Sequence, residues 1–227
     1  MSRGPITIDL ARAAAQRLCD AAGVTLLTPE HPLRDVIVAG VALASRLGGG
    51  SWSRADVAER VSVTLPGAGP ALSLLRAVPG VGPILAAAGE AAGLGRDAVI
   101  SVSPSTWDDP IGLLATTQHE LGHVGSIRRG RLPWCLAILV SPEARAAGEA
   151  PCYAAGMAVQ VRLGGASTQA AYESAMRSLG GYGLDADALA LAAGILASAR
   201  ATLDAGEDLG GVVMEVLAAL ESTGWRP

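Results

Sequence analysis

Helical spacing of apolar residues dominates the hydrophobic pattern of this chain. Residues 7–22 and 32–47 show it first, and the second stretch opens at Pro32, a residue type favoured in a first helical turn. Asp109 and Ser141, each followed by a proline, are typical N-terminal caps of two further helices. In chain order, the predicted helices cover residues 7–22, 32–47, 111–127, 141–163 with an interruption near Pro151, 168–179, 186–203 and 208–222.

Two short stretches alternate between apolar and polar residues in the manner of strands. One is VSVTLPG, where Val61, Val63 and Leu65 alternate, and the other is AVISVSPS at 98–105. Few strands among many helices predict an α+β, mostly helical fold. We expect a single domain, divided into an N-terminal helical region with a short strand (1–96), a core (97–165) and C-terminal helices (166–227).

Composition narrows the class of protein. Half of the 227 residues are hydrophobic, 17% are charged and the mean hydropathy is +0.38, so the chain should fold compactly. A net charge of -4 without a dense basic run makes nucleic acid an unlikely main partner. The N-terminus lacks the apolar run of a signal peptide, and no stretch reaches the roughly 18–20 apolar residues of a membrane span.

The number and spacing of the cysteines favour a reducing compartment. Cys19, Cys135 and Cys152 are scattered and odd in number, which favours buried free thiols over a disulfide framework. We therefore expect a cytoplasmic protein that does not associate with membranes.

The chemistry concentrates in TTQHELGHVG, residues 116–125. It holds His119 and His123, two of only three histidines in the chain. On a helix these positions lie about 40° apart around the axis and about 6 Å apart along it, so both imidazoles can bind one ion. Glu120 points about 100° away from His119, where it can take a proton from water beside the ion. The pattern HExxH thus predicts two metal ligands and a general base.

HELGH resembles the motif of the zincin metallopeptidases. The resemblance implies a mostly helical zincin-like domain, a small sheet beside the motif helix, a zinc ion and a later acidic ligand. It is not the metzincin version, which would need glycine at Ser126 and histidine at Arg129. Two acids compete as the third ligand, Glu143 and Glu149.

The surroundings of the two acids favour Glu149. Glu149 is followed by CYAA at 152–155, a segment similar to one in small gluzincin-type proteins of the ImmA/IrrE group, and its separation from His123 also suits that group. Glu143 lies at the separation typical of thermolysin-like enzymes, but the acidic and asparagine-containing pattern around that ligand is missing. An acid near a helix start is also favourable to the helix dipole without binding a metal, which competes especially with the ligand role of Glu143.

This resemblance implies peptide hydrolysis. Zinc would polarise the peptide carbonyl and activate a water molecule, with Glu120 as general base, and a peptide or protein would be the substrate. The strand around residues 100–102 would form the edge along which the peptide lies. Tyr153 and Tyr182 are candidate donors to the oxyanion, and Asp185 and Asp187 are candidate acceptors for the imidazole N–H groups.

Two other interpretations remain open. Residues 75–93, LRAVPGVGPILAAAGEAAG, resemble a helix-hairpin-helix motif, but with few nearby cations they fit a packed helical hairpin better than a phosphate site. Alternatively, the chain is a metallopeptidase-like subunit of a larger particle, for instance of a phage, with a metal site but little activity. Its apolar, Gly/Ala-rich composition would suit packing against protein partners.

Overall fold

A computed structural model describes residues 4–35, 37–39, 62–66 and 98–226, and within them the chain is mostly helical. Residues 33–35 and 37–39 are helical. The longer helices and the strands are α1 (Ile8–Ala21), β1 (Val24–Leu27), β2 (Val63–Pro66), β3 (Ala98–Ser101), α2 (Pro104–Trp107), α3 (Pro110–Val140), α4 (Pro142–Arg162), α5 (Thr168–Gly180), α6 (Ala186–Asp204) and α7 (Val212–Ser222). The predicted α+β, mostly helical class is therefore confirmed.

Capping residues place the helix starts where the sequence predicts them. The Asp109 side chain accepts a hydrogen bond from the N–H of Ile111, and Ser141 Oγ accepts one from the N–H of Ala144. Ser141 both ends α3 and begins α4, so the two helices meet with one residue between them. The predicted hairpin at 75–93 and most of the predicted helix at 32–47 lie outside the described residues.

The strands form a mixed three-stranded sheet in the order β1-β3-β2. β3 runs parallel to β1, with Leu26 opposite Ile100, and antiparallel to β2, with Thr64 opposite Ile100. The prediction that the strand around residues 100–102 is an edge strand is wrong. β3 lies between β1 and β2, so both of its hydrogen-bonding edges are paired, and all four of its residues are buried.

Two helices are longer or more continuous than predicted. α3 extends to Val140 rather than ending near residue 127, and α4 runs through Pro151 without a break. A proline inside a helix removes one backbone hydrogen bond, so the sequence favoured an interruption. Here Pro151 is exposed while Glu149, Ala150 and Cys152 are buried, so packing of the opposite face keeps the helix continuous.

Buried side chains form two hydrophobic clusters. The first joins α1, β1, β3, α3 and α7 with Val159 of α4, and includes Leu113, Leu114 and Ile100. The second joins α4, α5 and α6, and includes Met157, Leu179 and Leu196. α4 contributes to both clusters, so α3 and α4 form the boundary between them.

Glycines allow α3 and α4 to approach closely at that boundary. A Cβ atom on Gly122 would lie 2.7 Å from Cys152 Sγ, and one on Gly156 would lie 3.3 Å from the Ala115 carbonyl oxygen. Each glycine therefore leaves room for the facing helix, and together they set the spacing across which the motif helix faces α4.

Among the described residues, only α6 is long and apolar enough to cross a membrane by length and composition, with 28% of its most apolar window buried. Its inward face, which includes Ala188, Ala192 and Leu196, belongs to the second hydrophobic cluster. The helix is therefore part of the folded core on one side and apolar surface on the other.

Gly122→Ala should destabilise the protein only while Cys152 is present. Overpacking against the thiol should lower the free energy of unfolding by about 1–3 kcal/mol. In a Cys152→Ala background the nearest remaining atoms lie at 3.4 and 3.5 Å, so alanine's better helix propensity should make the same change neutral or stabilising.

Urea unfolding of the four proteins of this double-mutant cycle measures the difference. Gly194→Ala in α6 is the matched control, because a Cβ there meets nothing within 4 Å. Equal effects of Gly122→Ala in both backgrounds would contradict the packing argument.

Candidate metal centre

The two motif histidines lie one turn apart on α3 and point to the same place. His119 and His123 are each 9% exposed, and their Nε2 atoms are 3.1 Å apart. Their rings are 4.8 Å apart between centroids and meet edge to face. The predicted convergence of the two imidazoles is therefore present in the structure.

Glu149 on α4 completes the group. Its Oε2 atom lies 3.4 Å from the Nε2 atom of His119 and 3.4 Å from that of His123. Two ligands of a tetrahedral zinc ion, each about 2.0–2.1 Å from the metal, are about 3.3–3.4 Å apart. The triangle of 3.1, 3.4 and 3.4 Å therefore has the size of one face of such a tetrahedron, and the three residues form a buried group that could hold a metal ion.

The buried carboxylate of Glu149 needs a positive charge or a proton nearby to offset the cost of its burial. Glu149 is 8% exposed, and its Oε2 accepts no hydrogen bond of normal geometry from the described residues. A buried carboxylate oxygen without a donor is costly unless a cation or a proton compensates it. The two imidazole nitrogens and this oxygen are also a donor set that zinc accepts.

Glu143, the other candidate ligand, is elsewhere. It lies in the first turn of α4, is exposed, and accepts a hydrogen bond of 2.8 Å from Ser141 Oγ. An acid in that position stabilises the helix start through the helix dipole. The structure thus brings Glu149, and not Glu143, to His119 and His123.

The charges of the group are coupled. Burial alone would lower the pKa of His123, but the Glu149 carboxylate and the contact with Cys152 outweigh burial, so the pKa is raised well above the usual histidine value. Burial alone would raise the pKa of Glu149, but the charge on His123 and the contact with His119 lower it strongly. In the metal-free protein a proton on His123 therefore compensates the Glu149 carboxylate.

Cys152 orients His123 from the side away from Glu149. Its Sγ lies 3.5 Å from His123 Nδ1 and donates a hydrogen bond of 3.2 Å to the Gly148 carbonyl oxygen. Because the thiol proton is used there, Nδ1–H is the donor to sulfur, and in neutral His123 this leaves a lone pair on Nε2 for a metal. In the sequence, the one direct sign of this role is the position of Cys152 three residues after Glu149, on the same face of α4.

Asp185 and Asp187, the predicted acceptors for the imidazole N–H groups, lie at the start of α6. Asp185 caps α6, where its Oδ1 accepts a hydrogen bond of 2.9 Å from the N–H of Ala188. Asp187 lies in the first turn of the same helix, and both side chains are exposed. Local capping explains these acids, because acidic residues before and within a first turn stabilise a helix start.

Glu120 is held by the sheet. Thr64 Oγ1 on β2 lies 2.7 Å from Glu120 Oε2 and 3.0 Å from the Glu120 carbonyl oxygen, so its hydroxyl proton can be donated to either. Glu120 is 3% exposed and lines a cavity beside His119. Thr64 was missed at the sequence level, although its position between Val63 and Leu65 places it on the opposite face of the predicted strand.

A cavity of about 730 Å³ opens beside His119 and Glu120. Tyr153 and Tyr182, the two candidate oxyanion donors, both line it. The Tyr153 ring packs edge-on against His119 at 4.4 Å between centroids, and its hydroxyl lies 3.3 Å from that of Tyr182. Burial raises the pKa of both phenols, so each keeps its proton at neutral pH and can donate a hydrogen bond.

Comparisons with protein-family models, with curated proteins and with solved structures found no match to this chain. The function must therefore be argued from the geometry of the centre and its cavity.

Glu149→Ala should abolish metal binding, whereas Glu143→Ala should leave it intact. Of the two glutamates, Glu149 is the one that lies within reach of both histidines, so its loss removes one of three candidate ligands. Elemental analysis of the purified proteins measures the bound metal, and Glu143→Ala is the matched control from the same helix. Metal lost with Glu143 and kept without Glu149 would overturn this ligand set.

Zinc should stabilise the protein more as the pH rises. The raised pKa of His123 means that the metal-free fold holds a proton there. The stability from the charged His123–Glu149 pair is thus present below the ordinary histidine pKa and is lost as the pH rises through the raised value. Zinc must displace that proton, so its binding is favoured at higher pH.

The measurement is the rise in melting temperature on adding zinc, between about pH 5.5 and about pH 8. Glu149→Ala, in which this coupling is absent, should show little rise at any pH. A rise in the wild-type protein that is independent of pH would contradict the coupling.

Proposed function

We propose that this protein is a zinc-dependent metallopeptidase of the zincin type, similar to the small gluzincins of the ImmA/IrrE group. The observation that carries the proposal is the triangle of His119, His123 and Glu149, with Glu120 beside it on the wall of an open cavity. A zinc ion held by these residues would polarise a peptide carbonyl and activate water for attack. The reaction needs no covalent intermediate with the protein.

Glu120 is the general base. Only its Oε2 is engaged by a side chain among the described residues, through Thr64, so the other carboxylate oxygen remains for a proton in the cavity. Thr64 acts as a positioning residue, because its hydroxyl contacts both the carboxylate and the backbone of the same glutamate. The base passes its proton to the leaving amine when the peptide bond breaks.

Tyr153 or Tyr182 supplies a hydrogen bond to the developing oxyanion. Both phenols stay protonated, and Tyr153 packs directly on His119. A donor held in place before the reaction stabilises charge that develops only in the transition state. The hydrogen bond of 3.3 Å between the two hydroxyls uses one of their protons, leaves the other, and holds them side by side on one wall of the cavity.

A cytoplasmic location fits the buried thiols. Cys19 and Cys152 are both buried and form no disulfide with each other, as reduced cysteines in an intracellular protein would be. Cys152 must also stay reduced to contact His123 as it does.

Glu120→Gln should lower peptide hydrolysis by about 10²–10⁴-fold without loss of zinc or of thermal stability. The amide keeps the shape of the side chain but cannot accept the proton. Hydrolysis of an unstructured protein such as casein, zinc content and melting temperature are measured together. Glu143→Gln, which changes an exposed acid, is the matched control and should behave as the wild type.

A second candidate function is that of a metallopeptidase-like subunit in a larger assembly. The apolar outer surface of α6, which includes Leu191 at 42% exposure, favours contact with another protein. Under this alternative the metal serves the fold, and Glu120→Gln should behave as the wild type in every assay. The enzymatic proposal would be rejected if Glu120→Gln kept full hydrolytic activity, or if the zinc-loaded wild type had none.

A further inference from the structure

Arg177 places a guanidinium on the wall of the cavity. It lies in the last turn of α5, and its neighbours Ser174 and Ser178 line the same cavity. Among the described residues that line the cavity, the basic ones are His119 and Arg177. The side chain is exposed, so a molecule entering from solvent can reach it.

This guanidinium has no acidic partner among the described residues. Glu173 stands four residues earlier on α5, the spacing at which glutamate and arginine usually pair on a helix. Instead, Glu173 accepts a hydrogen bond from Gln169 on its other side. By contrast, Arg12 pairs with Asp108 at 2.6 Å. Arg177 therefore keeps its full capacity to bind an anion.

A continuous wall connects Arg177 to the metal centre. His119 packs on Tyr153, and the Tyr153 hydroxyl meets that of Tyr182. Tyr182 follows the end of α5, five residues after Arg177, and all four residues line the cavity. A molecule bound in this cavity can thus contact both His119 and the last turn of α5.

The net charge of the cavity lining depends on Arg177. A divalent cation at the centre would be neutralised by the carboxylates of Glu149 and Glu120, because the imidazoles would hold it as neutral ligands. The guanidinium then supplies the remaining positive charge of the cavity lining. Its fork of N–H donors matches the two oxygens of a carboxylate.

We propose that Arg177 binds a carboxylate of the substrate, so that the cavity selects peptides that present one. This inference rests on the proposed peptidase function for the class of molecule, but the anion site itself does not require catalysis. The carboxylate has two sources, the C-terminus of a peptide or an acidic side chain within it. The chemistry of the contact is the same for both.

The test measures peptide binding to zinc-loaded Glu120→Gln protein, which should hold peptides without cleaving them. The probe is a library of randomised hexapeptides, prepared as free acids and as C-terminal amides and with either Glu or Gln at one fixed position. Bound peptides are quantified by mass spectrometry. The same measurement is made with Arg177→Gln or Arg177→Lys added, and with Arg17→Gln, an exposed arginine on α1, as the matched control.

We expect carboxylate-bearing peptides to be retained about tenfold better than their neutral counterparts. Arg177→Gln should remove this preference without changing zinc content or the binding of neutral peptides, and Arg177→Lys should keep part of it. Preference for the acid over the amide assigns the C-terminus, and preference for Glu over Gln assigns a side chain.

The assignment would be overturned if the Glu120→Gln protein retained acidic and neutral peptides equally, or retained neither. It would also be overturned if the preference for acidic peptides survived Arg177→Gln. Failure of the peptidase proposal looks different. An Arg177-dependent preference in a protein whose wild type hydrolyses nothing would keep the anion site and reject the enzyme.

Discussion

The close approach of α3 and α4 is the constraint on which the centre depends. The histidines belong to one helix and Glu149 to the other, so a cation can contact all three only at the observed spacing. Gly122 and Gly156 allow that spacing, because a side chain at either position would press on the facing helix. The single residue between the helices, Ser141, caps one and ends the other, which couples their ends directly.

Burial of charge ties the centre to the stability of the fold. Glu149 is removed from water on the inner face of α4, where an uncompensated carboxylate would be costly. A proton on His123 compensates it in the metal-free protein, and a divalent cation would do so more strongly because all three side chains could then contact one charge. A metal ion and a proton would compete for His123, so the pH, the binding of metal and the free energy of unfolding would be linked at this group.

The residues that contact the HExxH side chains come from different elements of the fold. The sheet supplies Thr64, which holds Glu120, and α4 supplies Cys152, which orients His123. The far wall comes from α5 and the segment after it, through Tyr182 and the guanidinium of Arg177. The histidines and Glu120 thus share α3, whereas the acidic candidate ligand and the guanidinium come from α4 and α5.

The sequence by itself determined most of the helix starts, the motif and its internal geometry, because HExxH places two imidazoles on one helical face by local geometry alone. It also favoured Glu149, which the structure brings to the histidines. Only the tertiary structure decided that β3 is central, that α4 continues through Pro151, and that Thr64 and Cys152 contact the motif. These features depend on which surfaces pack together, and such contacts between residues distant in the chain leave no period in a single sequence.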